Sequence, residues 1–226
     1  MYGRDYGGKQ LHFEASGGLL HASLVMRDKE TDSWWSLMDE RALAGELAGT
    51  RLHELPVSTK TQWKRWVTDH PDTLVLSVDG KEHESTNPYE NYFASDEGFR
   101  GVVVEDERLP TKAPIFAFQI EERAFAAQFA SFENGALFEA GSQQVFLYRP
   151  TGVAVFHSTV AFHAAAPGFR RDERGWIHVA SGARFDAEQG RFSGGDALPD
   201  RLPGFDTYWF NWSMNNPDSE ILAAAR

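Results

Sequence analysis

The chain has 226 residues, 42% of them apolar and 24% charged, enough for one large domain or two small ones around real cores. Its net charge of −11 argues against a nucleic-acid or anionic-membrane interface, because phosphate needs a basic face. The absence of cysteine excludes disulfides, thiolate catalysis and Cys-ligated zinc or iron–sulfur sites. No apolar run reaches the ~18 residues of a membrane span. The opening Met1-Tyr2-Gly3-Arg4-Asp5 lacks the basic and apolar regions of a signal peptide, so the chain as written reads as soluble.

Residues 1–56 read as β-structure. Leu11, Phe13 and Ala15 alternate as in a half-buried strand that Ser16-Gly17-Gly18 should break. Leu19 to Met26 is a second apolar segment with His21 as its polar member. Arg27 to Asp32 is a charged turn, and Trp34 to Met38 and Arg41 to Gly49 supply two more short strands with a loop. Thr59 and Gln62 have the spacing of a capping box, and Trp63, Trp66 and Val67 then lie on one face of a two-turn helix. Pro71 ends that helix at or before His70. Leu74, Leu76 and Val78 alternate in a strand after it.

Residues 80–114 read as a surface connection pinned by Tyr89, Tyr92, Phe93 and Phe99. Ile115–Ile120 and Ala124–Phe129 form a hairpin candidate. Val145–Tyr148 and Val153–Phe156 form another around Arg149-Pro150-Thr151-Gly152. Short strands follow around Phe162, Phe169, Trp176–Val179 and Phe185. A second helix carries Trp209 and Trp212, with Asp206 as its expected cap, before the apolar tail Glu220–Ala225.

The tryptophan element recurs. Trp63 and Trp209, Trp66 and Trp212, and Pro71 and Pro217 are each 146 residues apart. Trp35 and Phe185, Arg41 and Arg191, and Gly45 and Gly195 are each 150 apart. The expected fold is therefore α+β and predominantly antiparallel β, as two related repeats each ending in a short Trp-bearing helix. Residues 1–108 hold the first repeat with its connecting segment, and 109–226 the second, fuller one. Hairpins fill 115–161 ahead of Phe162, whereas only 12 residues precede Phe13. The first repeat lacks those opening hairpins: either the chain is a piece of something longer, or another strand set completes that sheet, and an uncompleted edge invites self-association. If all four repeated rings are core anchors, Trp66→Ala and Trp212→Ala should each cost roughly 3–5 kcal/mol.

At Phe13-x-x-Ser16-Gly17-x-Leu19, Leu24 to Ser36, Leu47 to Leu52, Trp63-x-x-Trp66, His70 to Leu76, Asn87-Pro88-Tyr89-x-x-Tyr92 and the tail from Trp209 to Leu222, the chain resembles a bacterial and archaeal family of unknown function, DUF 3179. The resemblance implies an envelope-type setting, since many members look exported or lipid-anchored. It also implies a Cys-Pro-x-Cys-Gly-type turn in the first repeat. In the second repeat that slot is Tyr148 to Gly152, without cysteine.

No Gly-x-Ser-x-Gly elbow, His-Glu-x-x-His or phosphate loop is present. The expected role is a binding or interaction module for a small molecule, a glycan or a protein, with no cofactor or metal. The alternative is a hydrolase acting on glycans or peptides between the two repeats. In it His21 would be the base, Arg27 and Asp28 polar anchors, Ser36 the nearest nucleophile, and Trp34 and Trp35 the stacking walls. Histidine pairs His12/His21 and His157/His163, with Asp172 or Glu173, are the only metal candidates by spacing.

Overall fold

The computed structural model describes residues 1–55, 60–77, 89–155 and 157–224. They form an α+β fold made mostly of antiparallel strands. A central sandwich is flanked by two four-stranded meanders. One sandwich sheet pairs Pro114–Ile120 with Arg123–Gln128. Phe205–Tyr208 joins its first edge antiparallel, and Glu220–Ile221 joins its other edge parallel. The second sheet runs Ala136–Ala140, Gln143–Tyr148, Val160–Ala165 and Asp200–Arg201.

Strand alternation divides these side chains between two faces. Phe116, Phe118, Phe125, Phe138, Val145 and Leu147 point between the two sheets and close the main core. Each fully buried ring there stabilises the fold by roughly 1.5–3 kcal/mol. Ile115, Ala117 and Ala126 face outward and are covered by a helix. Phe146 and Phe162 face outward from the second sheet and are covered by Phe169 and Phe192 of the second meander.

The first meander comprises Phe13–Leu20, Ser23–Asp28, Trp34–Ser36 and Arg41–Ala44, in that order. The second comprises Phe169–Asp172, Gly175–His178, Arg184–Asp186 and Arg191–Ser193. The expected break at Ser16-Gly17-Gly18 is instead a bulge inside the first strand, held by the Ser16 hydroxyl on the Val25 carbonyl at 2.6 Å. His21 and Ala22 occupy the next turn with φ of 47° and 62°, the two left-handed positions of a tight hairpin. His21 therefore caps a hairpin rather than riding a strand.

Three α-helices are described: α1 (Trp63–Asp69), α2 (Glu90–Ala94) and α3 (Trp209–Asn215). The expected cap Thr59 lies outside the described residues, and Gln62 precedes α1 in extended conformation without a side-chain cap bond. Asp206 does not cap α3 either. It sits in the preceding strand, where its carboxylate accepts the backbone N–H and hydroxyl of Thr159 at 2.8 and 2.5 Å. Two more expected strands do not form. Val153–Val155 does not pair with Gln143–Tyr148, whose two edges are taken by Ala136–Ala140 and Val160–Ala165. Leu74–Ser77 belongs to no sheet. Val78 and Phe156, the last residues of these two expected strands, are outside the described residues.

Helices α1 and α3 share local geometry to within a few degrees. Their C-caps, His70 and Asn216, have φ/ψ of −135°/68° and −133°/68°. Each cap N–H bonds the carbonyl of the second tryptophan at 2.8 Å. Trp66 Nε1 donates to Thr73 Oγ1 at 2.9 Å, and Trp212 Nε1 to Ser219 Oγ at 2.7 Å. Their surroundings differ. Trp209 and Trp212 are fully buried, whereas Trp63 is 54% and Trp66 36% exposed.

Candidate functional site

The six residues singled out by sequence do not share one surface. Asp28 is fully buried, and its carboxylate accepts the Thr31 N–H at 2.6 Å, the Thr31 hydroxyl at 2.8 Å, the Ser33 N–H at 3.2 Å and Trp35 Nε1 at 2.9 Å. Burial pushes its proton affinity up, but the bonds from Trp35, Thr31 and Ser33 outweigh it and hold the carboxyl below its usual range. Trp35 is in the meander core with Tyr6 and Leu11. Ser36 is buried, and its hydroxyl oxygen accepts the Asp39 N–H at 3.1 Å. Trp34 and Arg27 lie outside that core, Arg27 in an ion pair with Asp32. His21 is at the far end of strand Ser23–Asp28 from Asp28, roughly 16 Å along the strand. Its Nδ1 is 3.3 Å from Asn215 Oδ1 of α3, so it bridges the first meander to the second helix.

The histidine pairs also separate. His12 Nδ1 meets Glu30 Oε1 at 2.7 Å, and Asp172 pairs with Arg184 at 2.8 Å. Among the described residues no three His, Asp or Glu side chains are placed to hold a metal.

A concave space lies elsewhere. It is a cleft of about 670 Å³ between α1 on one side and the second sheet and second meander on the other. Thr61, Arg65, Trp66, Asp69 and His70 form one wall. Tyr148, Pro150 and His157–Val160 form the opposite wall, and Ala187–Arg191 with Arg201 close the end. Three segments far apart in sequence therefore meet. Reciprocal bonds fasten them: Lys60 N–H to Ser158 Oγ at 2.5 Å, and Ser158 N–H to the Lys60 carbonyl at 2.9 Å. The Arg65 guanidinium donates to the Glu188 carbonyl across the cleft end.

Beneath the second wall sits Arg149, only 3% exposed. Its guanidinium donates to the carbonyls of Ala154, at 2.9 Å, and His157, lies 3.8 Å over the Phe129 ring, and faces Asp206 at 3.6 Å. One buried cation thus ties Ala154 and His157 of this wall to Asp206. Burial raises the Asp206 carboxyl, with Thr159 and Arg149 opposing. The His157 imidazole is pushed below its usual value by burial first, then by Arg149 and Arg65. It is consequently neutral at pH 7 and able to accept or donate one hydrogen bond into the cleft. Burial raises the Tyr148 phenol, against the pull of Arg65.

A second unusual pair lies at the seam between first meander and sandwich. Glu54 and Glu40 border a smaller cavity of about 290 Å³ with Phe118 and Pro203–Phe205. Burial, then the neighbouring Glu40 charge, raise Glu54 to about 7. Sequence spacing has no means of flagging either Glu54 or the cleft. It does point to His157 and to the Tyr148–Gly152 turn, but as a metal candidate and as a hairpin.

Neither the curated proteins nor the solved structures compared with the chain give a match. A family model does match, over residues 1–219, that of a protein of unknown function. It spans both meanders, the sandwich and both tryptophan helices, and the chain belongs to this family, DUF3179.

Proposed function

We propose that the chain is a binding module that seats a small anionic molecule, bearing a carboxylate, sulfate or phosphate, in the cleft between α1 and the Tyr148–Val160 wall. One observation carries this reading. In a chain of net charge −11, the described lining of the cleft gathers three guanidinium groups, Arg65, Arg191 and Arg201, against the two carboxylates of Asp69 and Glu188. Guanidinium groups beside the flat walls of Trp66 and Tyr148 suit planar or tetrahedral oxyanions, which they bind through paired N–H donors. The test is calorimetric titration of the intact protein with citrate, sulfate, phosphate, glucuronate and neutral glucose. Binding of an acid that weakens with salt, and by about tenfold or more in Arg201→Ala, supports the reading. Equal binding of glucose and glucuronate, or no anion binding, rejects it.

The hydrolase alternative draws on the neutral His157 facing the same space. It predicts turnover of nitrophenyl esters or glycosides that His157→Gln abolishes. Envelope placement rests on the family resemblance alone.

We infer as well that residues 1–108 and 109–226 are two copies of one unit. The matching caps of α1 and α3 support this. So does the meander turn, where Asp28 N–H bonds the Ser33 carbonyl at 3.1 Å and His178 N–H bonds the Ala183 carbonyl at 2.9 Å, 150 residues on. Gly45 and Gly195 have φ of 95° and 86°, each pressed on the same loop of its own meander.

A further inference from the structure

Residues 60–76 correspond, at a constant offset of 146, to residues 206–222, whose tryptophans are covered. In the second unit, residues 206–208 pair antiparallel with strand Pro114–Ile120. Trp209 and Trp212 then pack on Ile115, Ala117 and Ala126. After the helix, Glu220–Ile221 pairs parallel with Arg123–Gln128, and Leu222 N–H bonds the Ala126 carbonyl at 2.8 Å. One two-stranded hairpin thereby receives an extended segment on each edge and two indole rings on its face.

The first unit presents counterparts of the segments that this hairpin receives. Gln62 is extended ahead of α1, as Tyr208 is ahead of α3. Trp63 and Trp66 take the places of Trp209 and Trp212, and Leu74-Val75-Leu76 those of Glu220-Ile221-Leu222. Yet Leu74 and Leu76 are 94% and 93% exposed, and Leu74–Leu76 belongs to no strand. Trp63, Trp66, Leu74, Val75 and Leu76 are left facing solvent, beside backbone that joins no sheet. An apolar patch next to extended backbone that joins no sheet is the kind of surface that an added strand covers.

We propose that this surface docks a β-hairpin of a partner polypeptide, by adding its strands between residues 60–62 and 74–76 and laying a face of small apolar residues on Trp63 and Trp66. The hairpin of a second copy is a poor occupant, because α3 and Glu220–Ile221 already fill its equivalent face and edge. Strand addition supplies affinity through backbone bonds, and the indole rings select small inward side chains over bulky or charged ones. Trp66 borders both this surface and the proposed anion-binding cleft, whereas Trp63, Leu74 and Leu76 are not among the cleft's lining residues. The two sites can therefore be tested apart.

The probe is a backbone-cyclised peptide copying residues 113–129, with F116K, F118K and F125K on its other face for solubility. Amide hydrogen exchange of the full chain is followed with and without it. Expected is slowing by at least about tenfold at 74–76 and 60–62, with no change in the first meander. A peptide that also carries A117D and A126D should give no slowing, and the Leu76→Asp chain should lose it while Arg201→Ala retains it. Three results would overturn the proposal: no slowing at millimolar peptide, equal slowing by the aspartate peptide, or protection of 74–76 in the chain alone that grows with its own concentration. The last would assign the surface to a second copy.

Discussion

Helices α1 and α3 separate what local sequence encodes from what tertiary surroundings supply. Both have tryptophans three apart, a proline two residues past the last helical turn, the same C-cap dihedrals and the same indole-to-hydroxyl bond. All of this is written within one short stretch around each helix. Burial is not. It depends on a sheet that covers the tryptophans of α3, whereas among the described residues none covers those of α1. The largest test of that contrast is a pair of truncations. Trp212→Ala empties a fully buried site and should cost about 3–5 kcal/mol in urea unfolding. Trp66→Ala, at a ring 36% exposed, should cost under about 1 kcal/mol, against the equal losses that the sequence repeat alone leads one to expect. Equal losses would mean that α1 is packed as tightly in solution as α3.

The same contrast explains how much is legible in the sequence. The α+β class, the short strands and both tryptophan helices follow from periodicity and from Pro71 and Pro217, because these are local effects. The strand expected at Leu74–Val78 fails for a nonlocal reason. Alternation states which face a strand would bury, but a strand also needs a neighbour, and Glu220–Ile221 finds one where Leu74–Leu76 does not. The cap expected at Asp206 fails similarly, since Thr159, 47 residues away, takes its carboxylate. Of the candidate site residues, Asp28 and Trp35 do meet, but in a hydrogen-bonded turn beneath the meander surface. The cleft residues come from 61–70, 148–160 and 187–201, a convergence that no spacing rule contains.

The two ends of the chain also differ in the charges they bury. Arg149 is set against Asp206, whereas Glu54 lies beside Glu40. A carboxyl that holds its proton more tightly when folded adds stability while protonated. Glu54, raised from 4.5 to about 7, therefore contributes fully below pH 4.5, and the contribution is lost as pH rises through 7. The expected fall across that window is on the order of 3 kcal/mol. Urea midpoints measured from pH 4 to 8 should track it, and Glu54→Gln should flatten the profile. A wild-type profile that rises over this range would refute the raised Glu54 carboxyl.

If residues 1–108 and 109–226 are copies of one unit, as we infer, equal effects are expected at matching positions. A Cβ at Gly45 would lie 2.5 Å from the Ser33 Cα, and one at Gly195 would lie 2.4 Å from the Ser181 carbonyl oxygen. Both glycines are left-handed, so Gly45→Ala and Gly195→Ala should each destabilise by roughly 1–3 kcal/mol. A difference of more than about 2 kcal/mol between them would weaken the inference of duplication.

The smallest effect is the most discriminating, because it compares one bond in two settings. Ser219 is fully buried, so Ser219→Ala strands the Trp212 indole N–H without water and should cost about 1–3 kcal/mol. At Thr73 the same deletion leaves the Trp66 N–H close to solvent, which can replace the lost partner, and Thr73→Ala should cost under about 0.5 kcal/mol. Saturating the protein with the hairpin peptide should raise the Thr73→Ala cost toward that of Ser219→Ala, because docking removes the water that compensates it. If the peptide binds and the Thr73→Ala cost stays flat, the peptide has bound without burying Trp66, and the parallel between the two helices stops at their caps.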